Sequence, residues 1–225
     1  MPFLAVHDTL AITVRQRCFW LFAALLLVVT CVPFLEDTAN GRIVLNALGL
    51  GVLIAGTAAI GRSRLSLVIA LLLAASAVTF QALGYSRSEE SELRLVGMWF
   101  SAAFYFVAVT YLLGYALRRE VLTMDKLYGA AAAFLMLAIL WTYFYGILLW
   151  NDPAALALNG EPLIAAPPST ILYFSIATLT ATGMSDILPV HPVARMLAGF
   201  EMITGVLFIA VLIARLAGTY PPHQR

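Results

Sequence analysis

Long apolar runs separated by short polar breaks organise this chain from end to end. Stretches free of charge occupy 18–35, 43–61, 65–85, 95–117 and 127–151. Each has about the length that crosses ~30 Å of hydrocarbon at ~1.5 Å per helical residue. A further run, 193–214, has the same reach. Between the last two lies a short apolar piece, 171–179, and its roughly nine residues are too few to cross as a helix. It runs into Thr180, Ala181, Thr182 and Gly183, where helical periodicity stops. The pattern predicts an all-α membrane protein with six transmembrane helices and a re-entrant segment between helices five and six. Irregular backbone at membrane depth is tolerated only where it lines water or packs inside protein.

Composition agrees: 62% of the 225 residues are hydrophobic and 11% charged, outside the balance of a soluble domain. A net charge of +1, with the 13 basic residues in short clusters between apolar runs, argues against a nucleic-acid partner. Those clusters set the orientation. Arg15 and Arg17 precede the first run, Arg62 and Arg64 follow the second, and Arg118, Arg119 and Lys126 follow the fourth. The opposite side holds Glu36, Asp37, Glu89, Glu90, Glu92, Asp152 and Glu161, with Arg42, Arg87 and Arg94 among them. The positive-inside rule then predicts a multi-pass cell-membrane protein with both termini cytoplasmic. Cys18 and Cys31 fall on one predicted helix, too far apart to bridge, and read as apolar filler. His7 and Asp8 precede the first run and no Ala-x-Ala pattern follows it, so that helix is expected to be retained.

Pro167 and Pro168 stop any helix before the short piece, and Ser169 or Thr170 is placed to cap it. The far end carries the negative pole of the helix dipole, so aiming it at the membrane centre favours a cation there. Asp186 is expected on the buried side of the loop that follows. The stretch from Thr178 through Thr180, Ala181, Thr182, Gly183, Met184, Ser185 and Asp186 to Pro189 resembles the pore loop of the tetrameric potassium channel superfamily. There a Thr-rich helix end runs into Thr-Val-Gly-Tyr-Gly-Asp. Arg195, Gly205 and the closing Leu212-Ile213-Ala214-Arg215-Leu216 extend the likeness over roughly 127–217.

The resemblance implies a pore helix and a selectivity filter between helices five and six. A homotetramer would surround monovalent cations, K+ or Na+, with inward carbonyls of Ala181, Thr182, Gly183 and Met184. It also implies Tyr173 and Phe174 as an aromatic cuff, Asp186 as filter support and Gly205 as a gating hinge. Lipid is the other expected partner, and no cofactor is implied beyond permeant ions.

The filter departs from the family pattern, whose Thr-Val-Gly-Tyr-Gly becomes Ala181-Thr182-Gly183-Met184-Ser185. Ala181 lacks the hydroxyl that completes the innermost site. Ser185 replaces a glycine that is left-handed in the family, costing about 1–2 kcal/mol per chain. Met184 replaces a tyrosine that braces the filter, and a thioether is a poor acceptor. These changes predict a filter that is weakly selective, selective for another cation, or closed, the last making the chain a membrane scaffold or regulated subunit.

The fourth run carries no arginine between Val96 and Leu117, so the region 1–126 reads as a four-helix sensor-like domain without a voltage sensor. The pore domain is 127–217, and 218–225 a short cytoplasmic tail. Glu201 lies within the last span, where a charge is expensive, and is expected to support the filter by pairing with a loop donor, or else to gate or sense protons directly. His191, just outside the filter, reads as a surface-loop histidine or an external pH sensor. No metal constellation or nucleophile-base pair appears at useful depth, so no enzymatic activity is expected.

Overall fold

The computed structural model describes residues 17–36, 38, 49, 51–52, 64–87, 92–118, 123–164, 166–183 and 186–217. Most of the second predicted span, together with Met184, Ser185 and the tail 218–225, lies outside the described residues.

Helices α1 (Arg17–Leu35), α2 (Arg64–Arg87), α3 (Glu92–Ala116) and α4 (Met124–Asn151) come first, followed by strands β1 (Leu156–Leu158) and β2 (Glu161–Pro162). A 12-residue helix α5 (Pro168–Leu179), strand β3 (Ile187–Pro189) and helix α6 (Pro192–Ala217) complete the order. Among the described residues, α1, α3, α4 and Pro192–Arg215 of α6 are long and apolar enough to cross a membrane. The described apolar stretch of α2 is shorter, Val68–Phe80.

Small side chains bring the helices close. Gly97, Ser101, Ala102 and Ala108 are buried on α3, and Ala130, Ala132, Ala133 and Ala138 on α4. With lipid on the outside there is little hydrophobic gain in helix association, and close van der Waals approach between small residues takes over that role. Gly129 is one such point: a Cβ there would meet Cys18 Sγ of α1 at 3.3 Å. Tyr105 and Tyr143 stack across the α3–α4 seam at 5.7 Å. At one end, Asp125 in the first turn of α4 accepts hydrogen bonds from the Cys18 amide and the Tyr115 hydroxyl, both at 3.0 Å. A carboxylate there also faces the positive end of the helix dipole.

The three strands, which the sequence reading does not anticipate, form an antiparallel sheet in the order β2-β1-β3. Leu158 pairs with Glu161 across a two-residue turn, Asn159-Gly160, whose φ values are +52° and +90°. Asn-Gly is the pair that tolerates two left-handed residues in succession. Leu156 pairs with Pro189 and Leu158 with Ile187. The chain entering α5 and the chain leaving its far end are therefore hydrogen-bonded side by side. A second apolar core gathers there from Tyr145, Leu156, Ile171, Phe174, Ile187 and Ala198.

Candidate functional site

Helix α5 starts because Pro168 at its first position supplies a fixed helical φ and lacks the N–H that would be orphaned there. Neither Ser169 nor Thr170 caps it, contrary to the sequence expectation: the cap position is Pro167, with no side-chain cap bond. The orphan donors find a remote acceptor instead. The Ser169 amide donates to Glu36 Oε2 at 3.0 Å, and the Ser169 hydroxyl donates to Glu36 Oε1. A carboxylate from the end of α1 thus sits at the positive pole of α5, a placement worth roughly 0.3–1 kcal/mol even at a solvated helix end.

The other end of α5 closes in a Schellman motif. The Thr182 amide donates to the Ala177 carbonyl at 3.1 Å and the Ala181 amide to the Thr178 carbonyl at 2.9 Å. Ala181 occupies the left-handed position with φ +53°, where glycine is usual. The Thr182 hydroxyl also reaches Ala177 O at 3.2 Å, and the Thr180 and Thr182 hydroxyls lie 3.2 Å apart. Gly183 follows at φ +66°. The left-handed residues of the described filter segment are thus Ala181 and Gly183. The resemblance assigns one to Ser185, which lies outside the described residues.

Behind this segment three helices meet at Glu201, which is fully buried. The Tyr145 hydroxyl of α4 donates to Glu201 Oε2 at 2.6 Å. The Ser175 hydroxyl of α5 lies 2.6 Å from Glu201 Oε1 and 2.8 Å from the Ala138 carbonyl oxygen of α4. The expected loop donor is replaced by hydroxyls from two helices. One turn further along the same two helices, Gly205 of α6 lies against Leu179 of α5. A Cβ on Gly205 would overlap the Leu179 carbonyl oxygen and stand 2.8 Å from its carbon. Helix α6 continues unbroken through Gly205. The glycine that the resemblance reads as a hinge is here a point of close approach.

The remaining expected residues divide. Phe174 is buried and meets the Tyr145 ring edge-on at 4.9 Å. Tyr173 is half exposed and lines, with Val29, Pro33, Ser169 and Asp186, an open crevice of about 580 Å3 between α1 and α5. Asp186 is exposed rather than on the buried side; its carbonyl accepts the Asn159 amide at 3.1 Å. His191 is tied into structure: the Val193 amide donates to its Nδ1 at 3.3 Å at the start of α6. Arg195 Nε donates to the Pro189 carbonyl at 3.2 Å, holding β3 to α6.

Glu36, Tyr145 and Ser175 are the participants that sequence reasoning misses. Ser175 carried a signal, being a hydroxyl in the middle of a short apolar helix, where burial demands a partner.

Residues 133–220 match the sequence profile of a family described as an ion channel. No curated protein and no solved structure matches the chain.

Proposed function

We propose that residues 133–220, which match the ion-channel family profile, are a pore domain of potassium-channel type, and that the chain forms a homotetrameric cation pore in a cell membrane. Each copy contributes the segment after α5 to the ion pathway. The observation that carries this reading is the pairing of β1 with β3 around a 12-residue helix. At ~1.5 Å per residue that helix reaches about 18 Å, less than a hydrocarbon core. A chain that leaves one sheet and returns to it enters and exits on one side. This supports a re-entrant loop with α4 as outer helix and α6 as inner helix, in a six-span, multi-pass arrangement with cytoplasmic termini.

The carbonyls of Thr180, Ala181, Thr182 and Gly183 stand at the negative pole of α5, where a monovalent cation is favoured. Residues exposed on α6, among them Met196, Phe200, Ile203, Val206 and Leu207, form an apolar surface suited to neighbouring copies and lipid. In the first half, α3 carries Arg94 in its first turn and no further basic residue to Ala116, which supports gating by something other than a conventional voltage sensor.

Weak ion discrimination follows from the same segment. Ala181 offers no hydroxyl, and both the amide and the hydroxyl of Thr182 turn back to Ala177. That inward turn also favours the second reading, a filter closed to ions in a chain acting as scaffold or regulated subunit.

Cation flux from liposomes carrying the purified protein separates the two. Flux of both K+ and Na+ through the wild type supports the weakly selective pore. Flux only after Ala181→Thr, Met184→Tyr and Ser185→Gly together supports the closed filter. Strong K+ preference in the wild type overturns the proposed loss of selectivity.

A further inference from the structure

Counting hydrogens at Glu201 gives a result that the individual contacts do not. Three close oxygen pairs meet there: Tyr145 to Glu201 Oε2 at 2.6 Å, Ser175 to Glu201 Oε1 at 2.6 Å, and Ser175 to the Ala138 carbonyl at 2.8 Å. Tyr145 and Ser175 bring one hydroxyl hydrogen each, and a backbone carbonyl brings none. Two hydrogens cannot fill three contacts. If Glu201 is ionised, the Ser175 hydrogen serves either Glu201 or Ala138, and the other pair becomes two facing acceptors at hydrogen-bonding distance.

A proton on Glu201 Oε1 resolves the site completely. Glu201 then donates to Ser175, Ser175 donates to Ala138, and Tyr145 donates to Oε2, so every contact holds one hydrogen. The surroundings favour the neutral form. Glu201, Tyr145 and Ser175 are all fully buried. Helix α5 contains no charged residue, and the acidic and basic side chains of α4 are Asp125 and Lys126 in its first turn, far along the helix from Tyr145. Of the two arginines on Glu201's own helix, Arg195 is exposed and engaged with the Pro189 carbonyl, and Arg215 stands in the last turn, donating to the Arg118 carbonyl. A buried carboxylate with no cation among its described partners is the arrangement that burial penalises most.

We propose that Glu201 is a proton-bearing positioning residue, a neutral carboxylic acid that clamps the pore helix α5 to both α4 and α6 and so fixes the height of the Thr180–Gly183 segment. The relay runs through α5 at Ser175, and the Leu179–Gly205 contact one turn on keeps the two helices in register. Loss of the proton leaves one hydrogen for the two contacts of Ser175, so α5 loses its hydrogen bond either to Glu201 of α6 or to the Ala138 carbonyl of α4, which also accepts the Thr142 hydroxyl at 2.9 Å. The functional meaning rests on reading α5 as a pore helix, but the proton itself does not.

Infrared difference spectroscopy on protein in liposomes reads the proton directly. Wild type minus Glu201→Gln is expected to show a protonated-carboxyl C=O stretch that disappears in the variant. In Ser175→Ala, which removes the acceptor of the Glu201 hydrogen, and in Tyr145→Phe, which removes a donor to Oε2, the same band is expected to shift. Glu201→Gln, which supplies an N–H to Ser175 and a carbonyl to Tyr145, is expected to keep the wild-type melting temperature, while Glu201→Ala lowers it. A wild-type spectrum without the band, or a Gln variant as unstable as the Ala variant, overturns the proposal. The band is present or absent whether or not the protein conducts, so absence of flux would leave this inference standing and absence of the band would leave the pore standing.

Discussion

Glu201 meets Ser175 at 2.6 Å one helical turn from the place where Gly205 receives Leu179, so α6 and α5 touch through two consecutive rungs. One rung is polar and specific in direction; the other is a bare backbone contact that excludes a side chain. Together they set the position of the helix end from which the Thr180–Gly183 segment departs.

The glycine rung makes a prediction whose sign is informative. An alanine in a helix interior is ordinarily more favourable than glycine by about 0.8–1 kcal/mol. At position 205 the added methyl would overlap the Leu179 carbonyl, and such overpacking costs about 1–3 kcal/mol. Gly205→Ala is therefore expected to lower the melting temperature of the detergent-solubilised protein. A higher one would mean that the glycine serves flexibility rather than contact.

Ala181 predicts the opposite. A non-glycine residue at φ +53° costs about 1–2 kcal/mol relative to glycine. Ala181→Gly should raise stability by roughly 1 kcal/mol, because the Schellman closure already has the shape that glycine prefers. Ala181→Val, β-branched at the same angle, should lower it. Equilibrium unfolding of the three proteins checks the order Gly, Ala, Val.

At the opposite end of α5, Glu36 is the only described tie between the end of α1 and the Ser169 amide and hydroxyl. Removing a charged acceptor of this kind costs about 1.5–3 kcal/mol when its partners are left unpaired. Glu36→Ala and Ser169→Ala should be non-additive in a double-mutant cycle, with a coupling of about 1 kcal/mol or more. Additive losses would show that the two residues act separately.

The Asn159-Gly160 turn supplies a further check. Gly160 sits at φ +90°, and Gly160→Val should cost about 1–2 kcal/mol or more and loosen the β1–β2 hairpin. Faster amide exchange at Leu163, whose N–H donates to Leu156 at 2.9 Å, would report that loosening locally.

Much of this architecture is legible from the chain because lipid and water demand different residues. The runs 18–35 and 127–151 reappear as Arg17–Leu35 and Met124–Asn151, since charges mark where the apolar environment stops. The short run 171–179 likewise lies within Pro168–Leu179, bounded in advance by its prolines. The strands escape because two or three residues are too few to show alternation, although Asn159-Gly160 is a strong hairpin signal in plain sight. The partners of Glu201 escape for another reason. Tyr145 is 56 residues away and Ser175 26, and nothing local in a sequence pairs residues at such separations. The left-handed position at Ala181 is equally invisible, because alanine does not advertise it; the geometry of the helix end imposes it.

The central claim, a cation pore whose filter segment has lost the usual discrimination, is tested most directly by planar-bilayer recording with K+ on one side and Na+ on the other. The account predicts cation currents that reverse near 0 mV, and a reversal close to the K+ equilibrium potential would contradict it.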